Sequence, residues 1–456
     1  MTKIGFVFPR FKYPSGDPPV GLAYLAASVL KYTDADVDII DTTFEDDPVM
    51  FLNDHFKKNR YDLLGFSVMT SSLKDAKNVI KIVKKYSPDT KIIFGGPHPT
   101  LMPNETMTEN PDIDAIAIAE GEQTFVDVIN NDFNFEGVKG LWYRNDKGEV
   151  IANPNREPIE DLDTIPLPAR HLLNMERYIN NWYQMDVVDY NLRGTGILAS
   201  RGCPYNCTFC QPILKSMFGR GMRKRSAKNI VQELKILKET YNINSFQFLD
   251  DTFTIYPEWV TEFCDEMINN NMNMKWTCNS RAHLVEKELF KKMKEAGLSR
   301  VCIGIESGNQ RILNEVYRKG ITLDHVKNAT KILKELRIKT LGFFMVGAPS
   351  ETVDEIKQTI RFAKNLDIEE ATFSVTTPLP HTTLYEKTKH LIAKDISEFD
   401  YYKNPVYQPI NGLTPKIITY WKRRALLEFY LHPKRLFSTF KLLASGQKAL
   451  NKLKRF

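Results

Sequence analysis

Three of the six cysteines, Cys203, Cys207 and Cys210, lie within eight residues in the spacing C-x3-C-x2-C. They follow a short apolar run, Gly196 to Ala199, which predicts a loop at the end of a strand. Three thiolates converging from one loop can hold soft iron, whereas disulfides need paired cysteines and an oxidising compartment. Zinc is the main alternative, although a structural zinc site takes four ligands and no second C-x2-C or H-x3-H pair follows. The spacing therefore predicts an iron–sulfur cluster with one open iron.

The loop from Ala199 to Pro212 resembles the cluster loop of the radical S-adenosylmethionine (SAM) enzymes, whose pattern is C-x3-C-x-aromatic-C. Phe209 occupies the aromatic position. The resemblance implies that Cys203, Cys207 and Cys210 bind a [4Fe-4S] cluster and that Phe209 lies near the adenine of SAM. It also implies that the open iron chelates SAM and that an electron from the cluster cleaves SAM to a 5′-deoxyadenosyl radical.

The composition is that of a globular protein in a reducing compartment. A chain of 456 residues with 42% hydrophobic and 26% charged residues predicts two or three domains. No apolar run approaches 18 residues, and the N-terminus lacks the pattern of a signal peptide, so we expect a cytoplasmic protein. Cys264, Cys278 and Cys302 stand singly in apolar surroundings, which favours small buried side chains over metal ligands.

The first 135 residues alternate between strand and helix patterns, which predicts a doubly wound parallel sheet of the Rossmann or flavodoxin type. The predicted strands are Ile4–Phe8, Val37–Ile40, Leu63–Val68, Lys91–Phe94 and Ala115–Ala119. The predicted helices are Gly21–Tyr32, Val49–Asn59, Leu73–Tyr86 and Pro103–Asn110. In such sheets ligands bind beyond the carboxyl ends of the strands.

The loops at these strand ends are rich in glycine and short hydroxyl residues, which let a ligand approach the backbone. With the segment Pro18 to Ala26, they resemble the cobalamin-binding domain that precedes one subclass of radical SAM enzymes. No G-x-G-x-x-G is present, which argues against a dinucleotide site. The residues that the resemblance assigns to cobalamin are Ser67, Gly95, Gly96, His98, Glu120 and Gly121.

Many cobalamin proteins supply a histidine to cobalt through D-x-H-x-x-G, a motif that this sequence lacks. His98 either touches the corrin or hydrogen-bonds its own turn. The resemblance implies a lower face of cobalt held by packing.

A hairpin is predicted from Gly140 to Ile151, with its turn at Asn-Asp-Lys-Gly. We predict a cobalamin-binding-like domain over 1–153, a proline-containing linker over 154–193, a catalytic domain over 194–390 and a helical basic region over 391–456.

Six strand and helix repeats in the catalytic domain predict a partial (β/α)6 barrel, whose chemistry would lie at the carboxyl ends of its strands. The predicted strands are Gly196–Ser200, Ser245–Leu249, Met274–Cys278, Arg300–Ile305, Thr340–Val346 and Ala371–Thr376. The predicted helices are Ala227–Tyr241, Glu258–Asn270, Lys287–Ala296, Leu323–Leu336 and Val353–Leu366.

Polar residues follow these strands in the order seen in radical SAM enzymes. The resemblance places Asp250 and Asp251 near the SAM methionine and Glu306 and Ser307 in contact with SAM. Arg281 is expected to help place the SAM carboxylate. No individual residue is assigned to the chemical step.

The C-terminal stretch from Lys416 to Phe456 has 11 Lys and Arg residues against one acid, so it carries +10, while the preceding residues carry −4. Its two amphipathic runs, Ile417–Leu431 and Leu436–Leu453, either cap the open side of the barrel or dock on anionic lipid or an acidic partner. No nucleic-acid-binding module accompanies the charge, so no nucleic acid is expected.

Together these patterns predict a cobalamin-dependent radical SAM enzyme. The resemblance implies C-methylation of an unactivated carbon with two SAM molecules per turnover, one charging cobalamin with a methyl group and one generating the radical. A cyclase of the same subclass, acting on a tetrapyrrole or lipid, and a non-enzymatic corrinoid or iron–sulfur scaffold are the alternatives. The expected partners are a small-molecule or lipid substrate, an electron donor such as ferredoxin or flavodoxin, and the membrane surface through the basic C-terminus.

Overall fold

The structure is a computed structural model that describes residues 2–12, 14–392, 399, 405–407 and 411–436. It divides into two units. Unit 1 comprises Met1–Asn180 with Ile213–Lys224, and unit 2 comprises Asn181–Pro212 with Arg225–Phe456. Among the described residues, no helix has the length and apolar character needed to cross a membrane.

Unit 1 is built on a seven-stranded sheet in the order β2-β1-β3-β4-β5-β6-β7. The first five strands are parallel, and β5, β6 and β7 pair antiparallel. The strands are β1 (Lys3–Phe8), β2 (Asp36–Asp41), β3 (Leu63–Ser67), β4 (Lys91–Gly95), β5 (Ala115–Ala117), β6 (Leu141–Arg144) and β7 (Val150–Ala152). The helices are α1 (Val20–Tyr32), α2 (Pro48–Lys58), α3 (Leu73–Tyr86), α4 (Pro97–Leu101), α5 (Pro103–Thr108), α6 (Glu122–Asn130) and α7 (Met175–Asn180).

Apolar side chains cover both faces of this sheet, which confirms the doubly wound prediction. One face packs against α1 and α6, and the other packs against α2 and α3. The Phe125 ring of α6 packs directly on Gly65, where any side chain would clash, since a Cβ there would stand 2.7 Å from that ring. Phe6 meets the same ring edge-on, with ring centroids 5.2 Å apart.

Unit 2 is built on a six-stranded parallel sheet in the order β15-β14-β13-β12-β11-β8. The strands from Gly194 onward, in chain order through both units, are β8 (Gly194–Ile197), β9 (Ser200–Arg201), β10 (Arg223–Lys224), β11 (Ser245–Phe248), β12 (Lys275–Ser280), β13 (Leu298–Glu306), β14 (Lys339–Val346) and β15 (Glu370–Val375). The helices over the same part of the chain are α8 (Ile213–Phe218), which belongs to unit 1, and α9 (Ala227–Tyr241), α10 (Pro257–Asn269), α11 (Lys287–Glu295), α12 (Leu323–Glu335), α13 (Val353–Asn365), α14 (Thr383–Thr388) and α15 (Pro415–Tyr430) of unit 2. This half-barrel confirms the predicted class.

The predicted elements agree with the structure to within about three residues, with a few differences. The first barrel strand ends at Ile197 rather than Ser200, because the chain turns at Leu198 and Ala199 before the separate strand β9. Its start at Gly194 packs against the buried ring of Trp182, where a Cβ would lie 2.2 Å from the indole. Helices α4, α6, α7, α8 and α14 were not predicted, since α6 follows directly on a loop assigned to ligand binding and the others have only five or six residues.

Helix α15 packs against the last two strands of the half-barrel, β15 and β14. Ile418 of α15 meets Gly347, Tyr430 hydrogen-bonds the backbone of Ala371, and the buried Arg435 donates to three carbonyls that end α13. The inner face of α15 therefore covers the barrel edge. Beyond Leu436, the second predicted run, Leu436–Leu453, lies outside the described residues.

Candidate functional site

The three clustered cysteines share one tightly hydrogen-bonded loop. The carbonyl of Cys207 accepts from the backbone N–H of Cys210 at 3.1 Å and of Gln211 at 3.0 Å. The side chain of Gln211 donates back to the carbonyl of Cys203 at 3.3 Å. These bonds close the loop on itself, so the three thiols are displayed from one rigid turn.

The cluster loop is also tied to the rest of unit 2. Thr208 donates its backbone N–H to the carbonyl of Tyr317 at 3.0 Å and its hydroxyl to the carbonyl of Val316 at 2.6 Å. The N–H of Leu384 in α14 donates to the carbonyl of Thr208 at 2.9 Å. Phe209 meets the buried ring of Tyr317 edge-on at 5.4 Å between centroids. The aromatic position of the motif is thus held by packing.

All three thiols are free, with Cys203 and Cys207 buried and Cys210 half-buried. Burial raises the pKa of Cys210 to about 12, and Asp251 and the other two thiols add to this effect. Burial likewise raises the pKa of Cys203. Without metal the thiols of Cys203 and Cys210 are protonated, and iron binding would displace their protons.

Among the described residues, no three His, Cys, Asp or Glu side chains lie close enough together to hold a single metal ion. A four-iron cluster binds each cysteine through a different iron atom, so its ligands need not meet at one point. Three free cysteines on one fixed loop, two of which raise the pKa of the third, Cys210, fit such a cluster.

The two aspartates after β11 have different environments. The carboxylate of the buried Asp250 accepts from the N–H of Ala199 at 3.1 Å and from the hydroxyl of Ser200, so it fixes the start of the cluster loop. Burial raises its pKa to about 6. Asp251 is accessible to solvent on one side, while the surrounding protein raises its pKa to about 6, and its charge acts on the thiols of Cys203 and Cys210. Asp251 is therefore the aspartate of this pair that faces the sulfurs.

Arg281 lies directly after β12 and is buried against the cluster loop. Its Nη1 donates to Sγ of Cys207 at 3.4 Å, and its guanidinium carbon lies 3.7 Å from the ring centroid of Tyr205. The hydroxyl of Tyr205 is 3.1 Å from Nε2 of His283. Burial lowers the pKa of His283 to about 4, with Arg281 the next cause, so this imidazole is neutral at pH 7.

Glu306 ends β13 in a left-handed conformation, φ +66°, and its carboxylate is buried in an ion pair. The partner is Lys319, whose Nζ lies 2.7 Å from Oε1 of Glu306 and 5.6 Å from the ring centroid of Phe209. Gly304 leaves room for the pair, since a Cβ there would stand 2.6 Å from Nζ. Lys319 was missed by the sequence analysis. It could have been expected, because a buried carboxylate such as that of Glu306 requires a cation as its partner.

Lys319 also joins the predicted SAM residues to each other, because its carbonyl accepts from Arg281. Phe209, Arg281 and Glu306 are thus brought together around one lysine. Ser307 is fully buried and is held within the protein. Its hydroxyl lies 3.1 Å from that of Thr359 and accepts from the N–H of Asn309 at 3.1 Å.

In unit 1 the residues predicted to hold cobalamin lie at the carboxyl ends of β3, β4 and β5. Gly96 has φ +97°, and a Cβ there would lie 3.1 Å from the carbonyl oxygen of Val68, so this turn requires glycine. His98 is buried, and its Nδ1 lies 3.2 Å from the hydroxyl of Thr70. His98 therefore hydrogen-bonds between the loops that follow β4 and β3.

Glu120 is buried between β5 and α6, and Gly121 precedes α6. The Glu120 carboxylate accepts from the N–H of Ile159 at 3.0 Å and from Nη1 of Arg223 at 2.9 Å. Ser67, Gly95 and Gly96 offer a hydroxyl and close backbone at the same edge of the sheet. Hydroxyls and approachable backbone suit the amide side chains of a corrin, so the residues present fit that group.

Comparison with protein families gives two matches. Residues 197–363 match the radical SAM superfamily, and residues 12–129 match the B12-binding domain. An uncharacterized methyltransferase of Pyrococcus horikoshii is 37% identical over 424 residues, which cover 91% of this chain and 88% of the relative. An anaerobic magnesium-protoporphyrin IX monomethyl ester cyclase of Rubrivivax gelatinosus is 29% identical over 401 residues, which cover 86% of this chain and 69% of the relative.

Two solved structures have a similar fold. The cobalamin-dependent SAM radical enzyme OxsB, with aqua-cobalamin and SAM bound, aligns with a TM-score of 0.76 and 16% identity, covering 99% of this chain and 72% of that one. The radical SAM methyltransferase TsrM of Kitasatospora setae, with cobalamin and a [4Fe-4S] cluster bound, aligns with a TM-score of 0.71 and 16% identity, covering 94% and 85%. At these identities the likeness establishes the fold.

Proposed function

This chain belongs to the cobalamin-binding radical SAM enzymes, with a [4Fe-4S] cluster, SAM and cobalamin as cofactors, and on that premise we propose that it methylates an unactivated carbon of its substrate. The main support is a cluster loop with three free cysteines in a chain that is 37% identical to a methyltransferase along nearly its whole length. The predicted enzyme class is thereby confirmed, and the reaction and its substrate are the proposal.

When bound, the cofactors supply a primary carbon radical that abstracts hydrogen from the substrate and a methyl group that joins the resulting carbon. The chain's own residues hold and orient these groups. Cys203, Cys207 and Cys210 bind the cluster, and the hydrogen bonds of the loop keep the thiolates in place. Rigid placement of reactants removes the entropic cost of bringing them together.

Binding of SAM is assigned to side chains around the cluster loop. Asp251 is accessible to solvent and can accept a hydrogen bond from an amino group, whereas Asp250 is engaged with Ala199 and Ser200 and acts on the loop. Glu306, held by Lys319, is placed to accept from a hydroxyl or amino group. Phe209 offers an apolar ring for adenine.

In unit 1, the strand-end loops with Ser67, Gly95 and Gly96 would hold cobalamin. His98 is occupied with Thr70 and supports the turn. This engagement of His98 agrees with the absence of the D-x-H-x-x-G motif, through which many cobalamin proteins supply a histidine to the cofactor.

The proposal is tested with the full chain purified anaerobically and supplied with iron, sulfide and hydroxocobalamin. Dithionite, SAM with a deuterated methyl group and an extract from a strain that lacks the gene are then added. We expect 5′-deoxyadenosine, deuterated methyl on cobalamin, and an extract component whose mass increases by one labelled methyl group. The matched control is the Cys203→Ala/Cys207→Ala/Cys210→Ala variant, which should bind cobalamin and form no 5′-deoxyadenosine.

A second candidate is ring formation, favoured by the 29% identity to the cyclase of Rubrivivax gelatinosus. In that case the extract would yield an oxidised or cyclised product without the deuterated methyl group, and the proposal of methyl transfer would be wrong. Absence of 5′-deoxyadenosine from the loaded wild-type protein would contradict both and leave a binding scaffold. An electron donor such as ferredoxin or flavodoxin, and a small-molecule or lipid substrate, complete the proposal.

A further inference from the structure

Arg281 is a buried cation whose contacts are directed at the cluster loop. Only 4% of its surface is exposed. One nitrogen, Nη1, donates to Sγ of Cys207 at 3.4 Å, and the other, Nη2, donates to the carbonyl of Lys319. The flat guanidinium lies over the ring of Tyr205, 3.7 Å from the centroid. The side chain is therefore fixed in position by three different contacts.

Among the described residues, no carboxylate forms an ion pair with Arg281, and its Nε is buried without a hydrogen-bond partner. A buried charge without a counterion is strongly unfavourable. The negative charge that balances Arg281 must therefore come from a bound cofactor or from its cysteine ligands. The nearest such group is Cys207, which as a thiolate on a cluster carries negative charge next to Nη1.

We propose that Arg281 is a positioning residue for the cluster, whose positive charge and N–H···S hydrogen bond raise the cluster's reduction potential. This inference rests on the proposed function, because it requires the three cysteines to hold a cluster. Reduction adds one electron from an external low-potential donor to the cluster, so a fixed cation beside a ligand sulfur stabilises the reduced state more than the oxidised state. Hydrogen bonds to cluster sulfurs are among the factors that set such potentials.

The same geometry separates this role from binding of the SAM carboxylate, which the family resemblance implies. A residue that serves SAM alone has no effect on the cluster when SAM is absent. A residue that hydrogen-bonds Cys207 changes the cluster in either case.

The test is a redox titration of the anaerobically loaded full chain, without SAM and then with SAM, followed by electron paramagnetic resonance of the reduced cluster. Arg281→Gln removes the charge. Arg281→Lys keeps the charge and loses the planar fork. Arg361→Gln, on the exposed surface of α13, is the matched control.

We expect Arg281→Gln, titrated without SAM, to contain about tenfold less reduced cluster at a fixed potential, which follows from a charge-assisted hydrogen bond and equals about 59 mV for a one-electron couple. Arg281→Lys should fall between this variant and the wild type, and Arg361→Gln should match the wild type. An unchanged potential in Arg281→Gln overturns the inference, including when that variant has lost SAM affinity. If Arg281→Gln does not retain the cluster, Arg281→Lys decides, since a wild-type potential there overturns the inference and a lower one supports it. A wild-type chain that binds no four-iron cluster would overturn the proposed function as well.

Discussion

Glu120 and Arg223, 103 positions apart in the chain, form a buried ion pair within unit 1, with 2.9 Å between Oε2 and Nη1. Arg223 also donates to the carbonyls of Ile159 and Phe218. The segment Ile213–Lys224 directly follows the cluster loop in the chain and nonetheless belongs to unit 1, where α8 packs against α4. The pair therefore anchors this segment beside the helix that begins with the Gly-Gly-Pro-His turn.

Glu120→Ala should lower the free energy of unfolding by about 3 kcal/mol, because it leaves the buried cation of Arg223 without its counterion. Thermal unfolding of the full chain measures the loss. The matched control is Asp324→Ala, which removes an exposed pair with Lys327 and should change stability far less. Equal effects of the two substitutions would show that the buried pair adds no stability.

Each of the variants Cys203→Ala, Cys207→Ala and Cys210→Ala should lose most of the iron that the loaded wild-type chain holds. Three thiolates are the protein ligands, and a cluster that has lost one of them is open to solvent. Iron and sulfide analysis with visible absorption measures the loss. Cys264→Ala is the control, since Cys264 is buried in α10 as a small apolar side chain and should leave the iron content unchanged. Loss of iron in the control alone would contradict the ligand assignment.

Lys319→Met should weaken SAM binding by about tenfold, because Glu306 then lacks the charge-assisted hydrogen bond that holds its carboxylate. Calorimetric titration of the cluster-loaded chain with SAM measures the affinity. The double variant Glu306→Gln/Lys319→Met should recover thermal stability relative to Lys319→Met, since it removes the unpaired buried charge. Lys339→Met, which breaks a more exposed pair with Glu369, is the control. If Lys319→Met binds SAM with wild-type affinity, the pairing of Glu306 with Lys319 does not contribute to SAM binding.

Protonation of the Glu351 carboxyl should make the free energy of unfolding depend on pH. Burial raises its pKa to about 7, although N–H groups of Ala348 and Gly347 donate to it and act in the opposite direction. Glu355 adds to the rise, and Arg311 opposes it. Because the folded state binds this proton more tightly than the unfolded state, the contribution is complete below pH 4.5 and is lost as the pH rises through about 7.

The difference between the ordinary pKa of 4.5 and about 7 corresponds to about 3 kcal/mol. Glu351→Gln cannot ionise, so its stability should not show this decline between pH 4.5 and 7. Urea unfolding of the wild type and the variant at pH 5 and pH 8 measures the difference. Parallel pH profiles for the two proteins would contradict the assignment to Glu351.

The outer face of α15 should bind anionic membranes. Three large apolar side chains are exposed at helical spacing, Tyr420 at 53% and Leu427 at 59% on the helix and Leu431 at 58% directly after it, and the exposed Lys416 and Arg423 lie on the same face. Apolar residues flanked by cations suit the boundary of an anionic bilayer. We expect the chain to sediment with phosphatidylglycerol vesicles and less so as salt concentration rises.

Leu427→Gln/Leu431→Gln should reduce this vesicle binding by about tenfold or more, as expected from the loss of two buried leucines. Ile236→Gln, an exposed apolar residue on α9, should have no effect. Equal sedimentation with anionic and neutral vesicles would contradict an electrostatic contribution to binding. If the chain sediments with neither kind of vesicle, the predicted membrane contact is wrong.

Local sequence patterns were sufficient for most elements of both units and for the prediction that three cysteines share one loop. The alternation of apolar residues predicts strands such as β3 and helices such as α9 because the period of burial is a property of neighbouring residues. The spacing of Cys203, Cys207 and Cys210 predicts a metal loop for the same reason, since all three thiols belong to one turn.

Only the tertiary structure decided what the polar residues around that loop do. Arg281 meets Cys207 across 74 positions of the chain, and Glu120 meets Arg223 across 103. Lys319 reaches Glu306 only because the chain turns back after β13, with a π-helical turn at Ile312–Val316. A charged side chain placed by sequence at a strand end can bind a ligand or a neighbouring charge. Which of these it does depends on packing between distant segments, because the cost of burying a charge is offset only by partners that the fold brings into contact.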